Sequence, residues 1–321
     1  MKLFTKLKIK NFPTEAFYWN SVKISRMNGF FVVNKPQGIT SHDVVAFARR
    51  RLKIRRIGHA GTLDPMATGV LILGVGSATR LLEYIKDCEK EYEAEITFGA
   101  TSNTDDAEGE ITPFPNAKTI AREEFEKILP EFLGKINQIP PQFSAIKVQG
   151  RTAYSLARKG EEVKLKSREV MIHALKLHHF SFPKAEFSVC CGSGTYIRSL
   201  ARDLGARLEV GAHLSKLART RVGKFAINHA IPLKSIRAEK LIPADKGVPF
   251  PQINLTRVEA EKIRNGQKIS ARTSELKVAA IFDDNLLAIL VKEESQQFLK
   301  PEKVFISQSV DSVGFSNRKI T

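Results

Sequence analysis

Residues 58–71, which read GHAGTLDPMATGVL, restrict what this chain can fold into more than any other stretch. The segment has neither helical nor strand periodicity. It sets a lone carboxylate, Asp64, and one histidine, His59, among three glycines. Pro65 pushes Asp64 out of the helical region toward an extended backbone. The glycines admit backbone angles closed to other residues and let a ligand come close. Val70, Leu71, Ile72 and Leu73 follow as a short apolar run, which reads as a buried strand. The carboxylate is thus held on a stiff loop that feeds into the core, and loops anchored in this way often carry chemistry. The same Asp-Pro pair also reads as an ordinary turn, with the aspartate bonding its own backbone.

At 321 residues the chain has room for one large domain and a small one. Its three cysteines, Cys88, Cys190 and Cys191, have no partners at metal-binding spacing and fit a reduced, cytoplasmic protein. No apolar run reaches the roughly 18 residues of a membrane span, and no signal peptide is evident. The net charge of +17 points to a polyanion, for which nucleic acid is the usual candidate; a generally basic enzyme is the plainer alternative. The charge is uneven. Residues 1–27 hold six basic residues against Glu15, whereas residues 250–306 hold nine against eight acids. Residues 1–27 read as a basic arm, or as the product of an upstream start with Met27 the working one. A transit peptide fits poorly, because Glu15 is present and Ser and Arg are not enriched.

Phe30–Asn34 reads as the first core strand, and Ser41 as the cap of a helix through Leu52. Arg49, Arg50, Arg51, Lys53, Arg55 and Arg56 then lead into the Asp64 loop, as phosphate contacts or as a solvated helix end. Residues 77–87 and 120–133 read as helices. Tyr92, Ala94, Ile96 and Phe98 alternate with polar residues, so Tyr92 faces inward. Strands are expected near 170–180 and 185–191. A helix from Tyr196 puts Ile197, Leu200, Ala201, Leu204 and Leu208 on one stripe. Arg202 with Asp203 reads as its solvated face. Arg198 lies in the first turn, where a cation opposes the helix dipole, so its position asks for another reason. Beyond 251, a short helix at 255–265 precedes strands at 276–282 and 286–291.

Five segments in order carry a resemblance. They are Asn34–Ser41 (NKPQGITS), the Asp64 loop, Lys90–Tyr92, Gly194–Arg198 (GTYIR), and Gly211–Leu214 (GAHL) with Leu217–Gly223. Together they resemble the bacterial TruB-type pseudouridine synthases, which modify the T arm of tRNA. The resemblance implies an α/β (α+β) fold with a central, mostly antiparallel mixed sheet crossed by a catalytic cleft. It implies a catalytic domain over residues 28–250, an RNA-gripping insertion near 140–168, and a small PUA-like β-barrel from 251 to 321. Lys147, Arg151 and Arg158 would be the insertion's RNA contacts; a basic surface loop is the bland alternative.

The implied reaction isomerises uridine 55, in tRNA numbering, to pseudouridine. It breaks an N-glycosidic bond, turns the base and forms a carbon–carbon bond, and it needs no cofactor and no metal. The implied partner is tRNA and the implied state a monomer, off the membrane. Asp64 would be the catalytic carboxylate, with Arg198 opposing the pKa rise that burial brings. Tyr92 would stack beneath the flipped-out base and Tyr196 would line the pocket, although inward tyrosines are also common in cores. His59 would fill the space beside the extruded nucleotide, or be an ordinary loop histidine. Leu217 matches a pocket residue and also a core leucine. Lys35 and Pro36 would support the loop. Two further readings compete: a guide-RNA-dependent synthase, disfavoured by the 140–168 insertion, and a non-catalytic tRNA-binding protein, disfavoured by the joint presence of Asp64, Tyr92 and Arg198.

Overall fold

A computed structural model describes residues 27–144, 146–148, 150–153, 156, 165–293 and 297–305. Residues 1–26, Arg158 and the tail from 306 lie outside the described residues.

Eight principal elements build the central sheet and two helices cover its front. Strand β1 is Gly29–Lys35, helix α1 is Ser41–Leu52, β2 is Ile57–Ala60 and β3 is Thr68–Val75. Then come β4 at Lys90–Phe98, β5 at Gly134–Gln138, β6 at Arg168–Ser181 and β7 at Lys184–Cys191. Helix α2 is Ile197–Arg207, and β8 is Ala212–Val222. Across the sheet the order is Ile231–Pro232, β1, β3, β8, β4, β7, β6, β5, with β2 also paired to β3. The sheet is mixed but mostly antiparallel, as the resemblance implied. Only the Ile231–Pro232 pairing with β1 and the β8 pairing with β3 run parallel.

The continuous apolar runs of β1 and β3 have a simple cause: both faces of these strands are covered. Phe31, Val33, Leu71 and Leu73 face a front core with Val44, Val45 and Ala48 of α1 and Leu200 and Leu204 of α2. Phe30, Val32, Val70 and Ile72 face a back core with Ala78, Leu81 and Ile85. That back core is completed by Ala279, Ile281, Leu286, Ile289 and Phe305 of the C-terminal unit. This PUA-like unit is a five-stranded sheet over Gln252–Val304 with its own apolar cluster under the helix Arg257–Arg264.

Local details differ from the sequence expectations. Thr40, not Ser41, caps α1, through a capping box with Asp43. Residues 77–87 split into a 3-10 turn, Gly76–Leu81, and one α turn, Leu82–Lys86. Residues 120–133 split likewise, into Arg122–Ile128 and a 3-10 turn through Phe132 that begins beside Pro130. Arg202 does not lie on a free solvated face. It reaches Asp105 at 2.8 Å and the Ile139 carbonyl at 2.8 Å, besides Asp203.

The β3–β8 contact positions the site. Only two residue pairs register there, Thr68 with Ala218 and Gly69 with Arg219. Gly69 has φ +101°, and a Cβ would lie 2.2 Å from the Arg219 carbonyl oxygen, so this close approach requires glycine. The Asp64 loop enters the sheet at this junction.

Candidate active site

The Asp64 loop is tied at several backbone groups. Ser41, the first residue of α1, is buried. Its hydroxyl donates to the Leu63 carbonyl at 2.9 Å and accepts from the Leu63 amide at 2.8 Å. The Lys35 ammonium, fully buried, donates to the carbonyls of Ile39 (2.7 Å), Pro36 (3.0 Å) and Pro65 (3.3 Å). Burial lowers its pKa from 10.5 to about 8, against the pull of Asp64. Lys35 therefore supports the loop from beneath and presents no charge to an RNA surface. The Gly38 amide donates to Pro65, and the Ala67 amide closes a turn onto the Asp64 carbonyl.

On this frame the Asp64 carboxylate meets the Arg198 Nε at 3.0 Å. Arg198 sits one residue inside α2 and is nearly buried. Its guanidinium also donates to the carbonyls of Thr104 and Phe143, at 3.0 Å each, and lies 3.4 Å from Asp106. Asp106 is itself buried and accepts from the Thr104 hydroxyl (2.6 Å) and the Glu108 amide (3.0 Å). These two carboxylates are the reason a cation stands in the first turn of a helix. Burial pushes the Asp64 carboxyl up, and Arg198 is the largest influence pulling it back; Asp106 pushes the same way as burial. About a third of the Asp64 side chain is open to the cleft, so water moderates these effects.

Tyr92 is buried on β4, facing the front core. Burial pushes its phenol up, Arg219 pulls it down, and Asp64 is close enough to raise it further. Asp64 thus interacts electrostatically with both Arg198 and Tyr92. Tyr196, half-buried, is fixed by Gln138, whose amide oxygen accepts from the Tyr196 N–H (2.8 Å) and whose amide nitrogen donates to its carbonyl (3.1 Å). His59 is half-buried on β2. Burial, and next Arg219, lower its pKa, and its Nδ1 has no hydrogen-bond partner among the described residues. It therefore favours the neutral form and suits packing better than phosphate binding. Leu217 lines a cavity of about 310 Å³ with Met66, Thr68 and Ala94. The Asp64 carboxylate does not line that cavity, whose rim carries Glu93, Glu95 and Glu186. Lys147 lies in a short hairpin, Lys147–Val148 with Arg151–Thr152, and Arg151 is exposed there. Arg158 lies outside the described residues.

Sequence reading passed over Asp105, Asp106, Thr104 and Gln138. The only signal was a polar SNTDDAEG turn whose acids lacked a visible partner. Among the described residues, no three His, Cys, Asp or Glu side chains gather to hold a metal ion.

Comparison with known proteins defines the class first. The fold matches that of a solved Cbf5-Nop10-Gar1 complex, with a TM-score of 0.67 at 25% identity over 87% of this chain and 85% of that one. It also matches an H/ACA RNP bound to a substrate RNA containing 2'-deoxyuridine, with a TM-score of 0.68 at 23% identity, covering 90% and 88%. Residues 49–197 match the N-terminal domain model of the TruB family pseudouridylate synthases, and residues 198–247 the tRNA pseudouridylate synthase B C-terminal domain. The chain is 45% identical over 279 residues to the tRNA pseudouridine synthase B of Thermobifida fusca, covering 84% of this chain and 95% of that protein. Its identity to the Nostoc enzyme of the same name is 39% over 290 residues, covering 87% and 99%. The chain belongs to the TruB family of pseudouridylate synthases and is a pseudouridine-forming isomerase.

Proposed function

We propose that this protein isomerises uridine 55, in tRNA numbering, to pseudouridine in the T arm of tRNA, as a stand-alone enzyme with Asp64 as nucleophile. The observation that carries the reading is the ionic arrangement on the tied loop: Asp64 on Arg198, and Arg198 on Asp106. The reaction breaks the bond from the sugar C1′ to N1 of uracil and joins C1′ to C5. C5 loses a proton and N1 gains one, so atoms and electrons balance without a cofactor. A carboxylate held in place attacks C1′ as the base departs and is released when C5 returns. Arg198 keeps that carboxylate charged against burial, and its bonds to Thr104 and Phe143 fix the fork so the ion pair does not drift. Tyr92 offers a ring on which the flipped base stacks. Tyr196, held by Gln138, lies against the base, Leu217 packs in the front core beside Tyr92, and His59 fills the gap left in the RNA. The insertion bearing Lys147, Arg151 and Arg158 neutralises backbone phosphates.

The tRNA substrate is favoured because the relatives at 39–45% identity are tRNA pseudouridine synthase B enzymes, whereas the H/ACA RNP and Cbf5-Nop10-Gar1 structures share the fold at 23–25%. The test is mass-sensitive pseudouridine mapping of an unmodified tRNA transcript incubated with the purified protein alone. One pseudouridine at the T-loop position is expected. No modification, or modification only after a guide RNA is added, overturns the reading.

A further inference from the structure

Arg219 is among the most deeply buried large side chains of the chain, 1% exposed, and the chemistry above leaves it without a task. Its guanidinium has no carboxylate within ion-pair distance among the described residues. It bonds backbone instead: Nε to the Val70 carbonyl at 2.7 Å, one terminal nitrogen to Gly61 at 3.0 Å, and the other to Thr62 at 3.5 Å, besides its bond to Tyr92. A buried cation without a counter-ion is expensive, so a chain that keeps one needs a reason beyond stability.

The position supplies the reason. Arg219 lies on β8 between two neighbours at the same level of the sheet. On one side it registers with Gly69 of β3, where the Asp64 loop ends. On the other it registers with Tyr92 of β4. Side chains directly opposite on antiparallel strands share a face, and the Arg219 side chain acts on the Tyr92 hydroxyl both by hydrogen bonding and by its charge. Its donors meanwhile reach both arms of the Asp64 loop: Gly61 and Thr62 before the aspartate, Val70 after it.

We propose that Arg219 is a positioning residue for the isomerisation, locking the Asp64 loop and the Tyr92 ring into one rigid unit beneath the reacting base. The inference rests on the proposed reaction. That reaction gives it a purpose, because the base must leave C1′, turn and return while carboxylate and ring hold still. The charged and titratable groups that act most on Tyr92 are Arg219, Cys191 and Asp64. Of these only Arg219 favours the ionised phenol, so its loss shifts Tyr92 ionisation to higher pH.

The test compares wild type, Arg219→Gln and Arg219→Lys with an unmodified tRNA transcript. Single-turnover rate and tRNA affinity are measured across pH, and the phenol titration is isolated by subtracting a Tyr92→Phe spectrum. Arg219→Gln is expected to slow the single-turnover rate about a hundredfold, the scale of a small misplacement of reacting groups, with tRNA affinity within about threefold. Its Tyr92 titration moves upward. Arg219→Lys keeps a charge but cannot fork to three carbonyls, so it is expected to slow the rate about tenfold with little change in the titration. Either variant turning over within about threefold of wild type overturns the proposal. So does a rate loss matched by an equal loss of affinity with the Tyr92 titration unmoved. If Arg219→Gln does not fold, the lysine variant decides alone by its rate at saturating tRNA. A wild type that makes no pseudouridine in this assay overturns the proposed reaction, a failure distinct from wild type and variants being equally active.

Discussion

At the scale of single residues, the site is a matter of uneven charge. One guanidinium, Arg198, stands between two carboxylates, Asp64 and Asp106. Asp64→Asn keeps size and hydrogen bonding but removes nucleophile and charge. It is expected to reduce single-turnover isomerisation by at least about a thousandfold with tRNA affinity nearly unchanged; a rate within about tenfold of wild type assigns the chemistry to another group. Lys35 makes a prediction of opposite kind. Its ammonium loses its proton near pH 8 in the fold, against 10.5 ordinarily, so between these values the unfolded chain binds more protons than the folded one. Stability contributed by this group therefore rises with pH across that window, by at most about 3 kcal/mol. Urea melts of wild type and Lys35→Met at pH 7 and pH 10 should show the difference moving in favour of wild type at the higher pH; a difference that does not move removes the buried charge from the argument. The resemblance supplied Asp64, Tyr92 and Arg198 from the sequence. Asp106 was not legible, because nothing local tells that a turn about forty residues after the loop folds under the same arginine. Nor was the depth of Arg219, whose cation has no carboxylate spaced to meet it.

Elements were more legible than their junctions. Apolar runs such as Phe30–Val33 and Val70–Leu73 announce strands because their residues are buried on both faces. The stripe from Ile197 to Leu208 announces a helix because one face packs on the sheet. The ends are different. Whether a hydroxyl caps a helix or braces a distant loop depends on what lies opposite, and at Thr40 and Ser41 the two roles fall on adjacent residues in the order contrary to expectation. This pair gives a clean comparison. Thr40→Ala removes the exposed cap of α1 and is expected to cost about 1 kcal/mol in chemical melts while leaving turnover unchanged. Ser41→Ala strands the amide and carbonyl of Leu63, one residue before Asp64, at a cost of about 1–3 kcal/mol. It is also expected to lower kcat several-fold, because the loop is loosened where it carries the carboxylate. Equal effects of the two substitutions on kcat would separate the Ser41 brace from catalysis.

Over the whole molecule, the back of the sheet is sealed by the C-terminal unit. Arg80 donates to the Val304 carbonyl at 2.7 Å, the Tyr84 hydroxyl donates to Glu302, and the Lys303 ammonium donates to the Arg80 carbonyl at 3.1 Å. With that unit close to charge balance, the excess cations lie in residues 1–27 and the catalytic region, and tRNA affinity should fall steeply with salt. Charge reversal at Lys147, Arg151 and Arg158 together is expected to flatten a plot of log affinity against log salt by about two to three units; an unchanged slope takes the insertion out of the RNA interface. The remaining excess raises the question of residues 1–26. Among the described residues, the first already belong to the core and sheet. Met27 rests against the front core, the Asn28 side chain accepts from the Ser77 amide at 2.7 Å, and Gly29 registers with Val75 and Pro243. None of the five family segments precedes Asn34. A protein starting at Met27 is therefore expected to melt within about 2 °C of the full chain and to modify saturating tRNA at the same rate. The opposing case is electrostatic. Lys2, Lys6, Lys8, Lys10, Lys23 and Arg26 make up to six phosphate contacts, each worth a little under one unit of salt slope. Affinity titrations of both proteins at low and moderate salt decide between them. Parallel slopes and equal turnover at limiting tRNA make the segment dispensable. A shallower slope with slower turnover in the shortened protein makes it a working RNA-binding arm.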